Sequence, residues 1–276
     1  FLTTLCGDRP VRPKDLADGF LTTLFPRPCP LCRSMVLDKG TFFCPACLEG
    51  FETIREPICP CCGYPLTQTG TAPVGTLCPA CLSRDPDRPA PLTVRSIAIY
   101  SRNVREAVLR VKFSGQAPVA RSLSRYMTDH FHRFYPTDAF QSILPVPLHP
   151  KRLREREFNQ CVLLARPLAV HLGIPLDLDA VERVRHTLPQ SASTEADRRK
   201  NLRGAFRVTR PERVKGRSVL LLDDVYTTGA TLEELARTLL AAGARKVSPL
   251  TLARSVEYPG LSATLPQEWS RRREGD

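Results

Sequence analysis

Eight cysteines arranged as four Cys-x-x-Cys pairs within residues 29–81 constrain this chain more than any other feature. Cys29-Pro-Leu-Cys32 is followed after eleven residues by Cys44-Pro-Ala-Cys47, and Cys59-Pro-Cys-Cys62 after fifteen by Cys78-Pro-Ala-Cys81. Each pair is spaced to turn two thiolates toward one ion, and two such knuckles complete a tetrahedron around zinc. The spacing predicts two structural Zn²⁺ sites, each with four thiolates and no position left for a reactive water. Redox-active dithiols and an iron–sulfur cluster are the competing readings. In the third knuckle Cys62 is preferred over Cys61, because its spacing from Cys59 matches the other pairs and Gly63 follows it to relax the turn. Cys6 and Cys161 are left over, and Cys161 reads as a small buried hydrophobe in an apolar helical run.

At 276 residues and 42% hydrophobic, the chain can form one full domain in addition to the cysteine module. The expected organisation is an N-terminal segment 1–27 with a short amphipathic helix at 15–25, a double zinc ribbon 28–83, a linker 84–91 rich in Pro and charge, an α/β domain 92–254, and a disordered tail 255–276. No apolar run is long enough for a membrane span. The sequence opens at Phe1 without a basic-then-apolar leader, so a cytoplasmic location is expected, with the native start upstream. Residues 1–90 hold 9 basic and 9 acidic residues, so the whole net charge of +12 falls beyond them. Clustered positive charge suits a phosphate-rich ligand or nucleic acid, although 33 of the 40 bases are Arg, a skew that genome composition alone can produce.

From residue 92 onward, strand-like and helix-like segments alternate: strand 94–100, helices 104–113 and 117–134, strand 142–147, helix 153–172, strand 217–223, helix 230–242 and strand 247–253. Such alternation predicts a mostly parallel sheet flanked by helices, with ligands at the carboxyl ends of the strands. The most informative segment is Leu-Leu-Leu-Asp223-Asp224-Val-Tyr-Thr227-Thr228-Gly229-Ala230-Thr231. A buried strand delivers two carboxylates to its end, and a short loop rich in Thr feeds a helix N-terminus whose free N–H groups suit a phosphate dianion. The bland alternative is a capping box from Thr231 to Glu234. No Gly-x-x-x-x-Gly-Lys-Ser/Thr and no Gly-x-Gly-x-x-Gly occurs, which excludes the P-loop and leaves dinucleotide binding unsupported.

Residues 222–231 resemble the phosphoribosyl-pyrophosphate (PRPP) signature of type I phosphoribosyltransferases. Val146-Pro-Leu-His-Pro-Lys-Arg-Leu-Arg-Glu-Arg-Glu-Phe-Asn-Gln160 and Arg185-His-Thr-Leu-Pro-Gln190, with Arg199 and Asn201 beyond, narrow this further. Together with the paired ribbons they resemble the ComF family, which includes bacterial competence proteins associated with DNA uptake. The resemblance implies a type I phosphoribosyltransferase fold in which Asp223 and Asp224 hold the ribose hydroxyls, directly or through Mg²⁺ and water. It implies that Thr227, Thr228, Gly229, Ala230 and Thr231 hold the 5′-phosphate, and that Lys151, Arg152 and Arg156 face pyrophosphate. Residues 183–203 match the mobile loop that closes over such sites. One departure is visible: Glu157 stands where the family's Arg-Gly-Phe-Asn-Gln has Gly, in the loop expected to face pyrophosphate.

Three functions from different classes stay open. One is a phosphoribosyltransferase of nucleotide metabolism acting on Mg²⁺-PRPP. The second is a domain that binds PRPP or a related phosphate ligand and serves DNA uptake. The third is a non-catalytic adaptor binding single-stranded DNA and, as the resemblance implies, a DNA-uptake helicase. His149 and His186 read equally well as loop residues and as ligand contacts.

Overall fold

The structure is a computed structural model that describes residues 27–36, 38, 40–66, 72–73, 75–83, 92–186 and 200–256. The expected helix at 15–25, the linker 84–91 and nearly all of the tail lie outside these residues. No helix among the described residues is long and apolar enough to cross a membrane.

Each ribbon is built from two tight knuckles. The first pairs β1 (Arg27–Pro28) antiparallel with β2 (Met35–Val36) around the turn closed by Arg33 N donating to Cys29 O at 2.8 Å. Its second knuckle opens α1 (Pro45–Glu49), and the second ribbon's last knuckle opens α2 (Pro79–Leu82). Pro at the first helical position has no N–H to leave unpaired and a φ already suited to the turn, which accounts for the Cys-Pro-x-Cys repeat at these two knuckles. Gly63 takes φ +73°, and a Cβ there would sit 2.2 Å from Val94 O, so the third knuckle docks tightly on the chain entering the sheet.

The larger unit is a four-stranded parallel sheet of β3 (Arg95–Ile99), β4 (Ser142–Pro145), β7 (Ser218–Tyr226) and β8 (Lys246–Arg254), in the order β3-β8-β7-β4. Eight consecutive residues of β8 are buried. Successive side chains point to opposite faces, so both faces of the central strand are covered. The flanking helices are α3 (Arg102–Ser114), α4 (Ala117–Phe131), α6 (Gln160–Leu172) and α7 (Ala230–Ala241). A separate antiparallel pair, β5 (Val181–Arg183) with β6 (Phe206–Val208), packs against α7.

The expected helix 153–172 is two helices, α5 (Pro150–Arg156) and α6, broken at 157–159. Asn159 causes the break: its side chain accepts from Cys161 N at 2.9 Å and donates to Val146 O at 2.9 Å, capping α6 and tying it to the end of β4. The strand expected to end at Asp223 runs on to Tyr226, because β8 keeps pairing with β7 as far as Tyr226 opposite Arg254. Ser255 N still donates to Tyr226 O at 2.8 Å, so the ordered edge passes 254.

The two ribbons attach differently. Residues 52–54 run antiparallel to β3, with Ile54 N donating to Ile97 O and Ile99 N to Glu52 O, each at 2.8 Å. Cys29, Cys44, Cys47, Phe43 and Phe51 share one continuous core with Ile97, Leu123 and Met127. The second ribbon has a small core of its own, formed by Cys59, Cys62, Leu66 and Cys78.

Candidate functional site

At the carboxyl edge of the sheet, β4 stops pairing with β7 at Leu222 while β8 continues beside it, which leaves one side of the β7 end open. A cleft of about 550 Å³ occupies this gap. Asp223 and Asp224 form its floor. Asp223 is half-buried, and its Oδ1 accepts from Cys161 Sγ at 3.2 Å and Asp224 N at 2.9 Å. Burial and the neighbouring Asp224 charge raise its pKa to about 8. Asp224 is 8% exposed; its Oδ1 accepts from Val225 N at 2.8 Å, and its Oδ2 is buried with no hydrogen-bond partner among the described residues. Buried carboxylate oxygens are rarely left orphaned. This one fits a hydroxyl donor or a hard cation such as Mg²⁺.

Residues 227–231 line the cleft beside the acids and lead into the twelve-residue α7. Gly229 is the N-cap at φ +78°, and a Cβ on it would lie 2.6 Å from the Tyr226 hydroxyl, so only glycine fits. Being glycine, this N-cap offers α7 no side-chain cap of its own. The Thr231–Glu234 capping box is therefore not what this segment builds: Glu234 Oε1 instead accepts from Gly204 N at 2.6 Å and pairs with Arg237 at 2.7 Å. The first N–H groups of a helix have no intrahelical partners, as an anion site requires, and Ala230 to Leu232 at this N-terminus line the cleft.

Another part of the lining is basic. His149 caps α5, its Nδ1 accepting from Lys151 N at 3.2 Å. Arg152 and Arg156 line the cleft, whereas Lys151 is exposed and is not among the lining residues. Arg156 donates to Gln160 Oε1 at 3.2 Å and lies 5.7 Å from the Phe113 ring. Glu157 adopts φ +66°, and its N–H closes α5 onto Leu153 O at 2.7 Å. The chain thus keeps a glycine-like turn with a side chain that left-handed backbone disfavours by about 1–2 kcal/mol. Glu157 is exposed. Glu157→Gly is accordingly expected to raise Tm by about 1–3 °C, the relief of strain outweighing the extra freedom of the unfolded chain. A calorimetric melt checks this, and a fall of similar size would refute it.

Lys112 and Tyr100 also line the cleft, neither of them marked out by sequence reading, as do Cys161 and Arg183, the first residue of the expected closing loop. Cys161 is buried as expected, but its thiol donates to the acid pair rather than only filling space. His149 and His186 both reach the cleft, with ring centroids 5.1 Å apart. Burial, with His186 and nearby cations, lowers the His149 pKa. Asn201 reaches the cleft too, and residues 187–199 of the expected closing loop lie outside the described residues.

The ribbon cysteines converge in two groups, Cys29 with Cys32, Cys44 and Cys47, and Cys59 with Cys62, Cys78 and Cys81. Within each group the sulfurs lie within 4.8 Å of one another, and Cys62 rather than Cys61 joins the second. Cys32 to Cys44 and Cys62 to Cys78 measure 3.4 and 3.6 Å, near the edge of about 3.8 Å for a tetrahedron with Zn–S bonds of about 2.3 Å. All eight are free thiols. The donor sets fit structural zinc.

Residues 20–83 match the double zinc ribbon domain, and residues 159–264 match the phosphoribosyl transferase domain. These matches, with the parallel sheet and its cysteine clusters, define a zinc-ribbon protein carrying a phosphoribosyltransferase-like domain. Over 83% of its length the chain is 34% identical to the DNA utilization protein YhgH of Shigella flexneri, covering 97% of that protein. It is 30% identical to competence protein F of Haemophilus influenzae, over 82% of this chain and 96% of that one. Competence protein ComFC of Bacillus subtilis is 33% identical over 77% of this chain and 84% of its own length. The chain belongs to the ComF family.

Proposed function

We propose that the cleft binds Mg²⁺-PRPP, or a closely related ribose phosphate, and that the protein uses this ligand in handling incoming DNA. One observation carries the reading: a pair of acids with a buried oxygen unpartnered among the described residues, a glycine-capped helix N-terminus and two arginines all line a single cleft. Asp223 and Asp224 would take the ribose hydroxyls and the ion, which supplies charge neutralisation for the pyrophosphate when bound. The loop 227–231 would take the 5′-phosphate through N–H groups and Thr hydroxyls. Arg152 and Arg156 offer planar forks matched to pyrophosphate oxygens. With these groups in place, loss of pyrophosphate from C1 to a nitrogen nucleophile is the transferase reading. The names of the relatives favour a role in DNA uptake and use over nucleotide metabolism.

The same cleft supports a second ligand, single-stranded DNA. Lys112, Arg152, Arg156 and Arg183 converge on the cleft, whereas residues 1–90 are balanced in charge. If three or four of these cations meet phosphates, log affinity falls against log salt with a slope of about −2 to −3. Fluorescence anisotropy of a labelled oligonucleotide measures this slope, and Arg152→Glu with Arg156→Glu is expected to flatten it. Mg²⁺-PRPP is expected to displace the oligonucleotide. A salt slope unchanged in the charge-reversed variant, or DNA binding indifferent to saturating PRPP, would place nucleic acid elsewhere.

A further inference from the structure

Arg254 ends β8, and only 6% of it is exposed. No carboxylate pairs with it among the described residues. A guanidinium buried without a counter-charge is strongly disfavoured, so the surroundings must supply negative potential. Two sources are in contact. The guanidinium carbon lies 4.5 Å from the Tyr226 ring centroid and 5.4 Å from that of Tyr64, positions over aromatic faces that attract cations. Its Nη1 donates to Cys62 O at 2.5 Å, and its Nη2 lies 3.6 Å from Cys62 Sγ. With Zn²⁺ in place, the four thiolates of that cluster carry a net charge of about −2. Arg254 is thus the buried cation beside a buried anion, and its hydrogen bond falls on one of the metal's own sulfurs.

The other end of this contact reaches the phosphate loop. Tyr226 immediately precedes residues 227–231, and its hydroxyl packs where a Gly229 Cβ would stand. Backbone pairing holds Tyr226 opposite Arg254 in β7 and β8. Tyr100, which lines the cleft, donates its N–H to Arg254 O at 2.7 Å. Cluster, guanidinium, Tyr226 ring and loop form one unbroken stack of contacts.

We propose that Arg254 is a positioning residue that balances the charge of the second zinc cluster and through Tyr226 holds the loop 227–231 in its ligand-ready shape. Loss of the second zinc should then loosen the cleft even though it leaves the sheet intact. The inference uses the loop's geometry and not the identity of its ligand, so it stands or falls separately from the PRPP reading.

The test uses the full zinc-loaded chain without ligand, as parent, Arg254→Lys and Arg254→Met. Alkylation of each cysteine is followed by peptide mass spectrometry, and deuterium uptake is followed in peptides spanning 223–232. Lys keeps the charge but loses the fork and the stacking, and Met removes both, so Lys decides the matter if the Met variant does not fold. In Arg254→Lys, Cys59, Cys62, Cys78 and Cys81 are expected to react about tenfold faster, the usual scale for losing a metal's outer partner. Cys29, Cys32, Cys44 and Cys47 are expected to react at the parental rate, while uptake across the loop rises. An unchanged second cluster, equal acceleration of all eight cysteines, or an unchanged loop beside a labile cluster would each overturn the proposal.

Discussion

Cys32→Ser is expected to cost the protein one zinc ion and to lower the melting temperature of the whole domain by at least about 10 °C. A structural four-thiolate site contributes about 10 kcal/mol of binding that is also folding free energy, and losing one ligand forfeits several kcal/mol of it. The effect spreads because Cys29, Cys44 and Cys47 belong to the core that contains Ile97, Leu123 and Met127. Cys81→Ser is the contrasting case. It is expected to release the other ion while the main transition stays within about 3 °C of the parent, since that ribbon encloses a small core of its own. Elemental analysis and calorimetry of both variants measure the difference. Two ions retained by Cys32→Ser, or equal thermal effects of the two substitutions, would contradict the asymmetry.

The second large effect concerns the acids. Asp223→Asn combined with Asp224→Asn is expected to weaken Mg²⁺-PRPP binding by at least about 100-fold, since charged hydrogen bonds to the ligand contribute about 1.5–3 kcal/mol each. The same change should leave the zinc-loaded, Mg²⁺-free protein no less stable. Burial and the adjacent Asp224 carboxylate hold the Asp223 pKa near 8 against 3.8 for an ordinary aspartate. The folded state therefore binds its proton more tightly than the unfolded state does. That contribution is complete below the ordinary value and is lost as pH rises toward 8. Relative to the parent, the double variant should gain in Tm from pH 5 to pH 8. A variant that melts well below the parent at pH 8 would show that the acids stabilise the fold rather than strain it.

What was legible in the sequence was contiguous. The four Cys-x-x-Cys pairs converge as their spacing predicts, and residues 223–231 line one cleft although their strand runs on to Tyr226. Side chains that reach the cleft alone from distant elements carried no such signal. Lys112 sits in the last turn of α3 and Tyr100 follows β3, so only the fold brings them to the cleft, whereas Arg183 opens the stretch expected to close over it. The break between α5 and α6 was hidden by apolar spacing that continues through it, though Asn159 before an apolar run is a capping signal. Strands as short as β5 and β6 have no period to detect. The unequal docking of the ribbons depends on which residues share a core, a property of packing that spacing does not encode.

The most direct measurement of the central claim is a calorimetric titration of the zinc-loaded, full-length protein with PRPP in the presence and absence of Mg²⁺. Saturable binding of one PRPP per chain is expected, requiring Mg²⁺ and disappearing in the Asp223→Asn, Asp224→Asn variant. No binding at millimolar PRPP, or binding that the double variant retains unchanged, would contradict it.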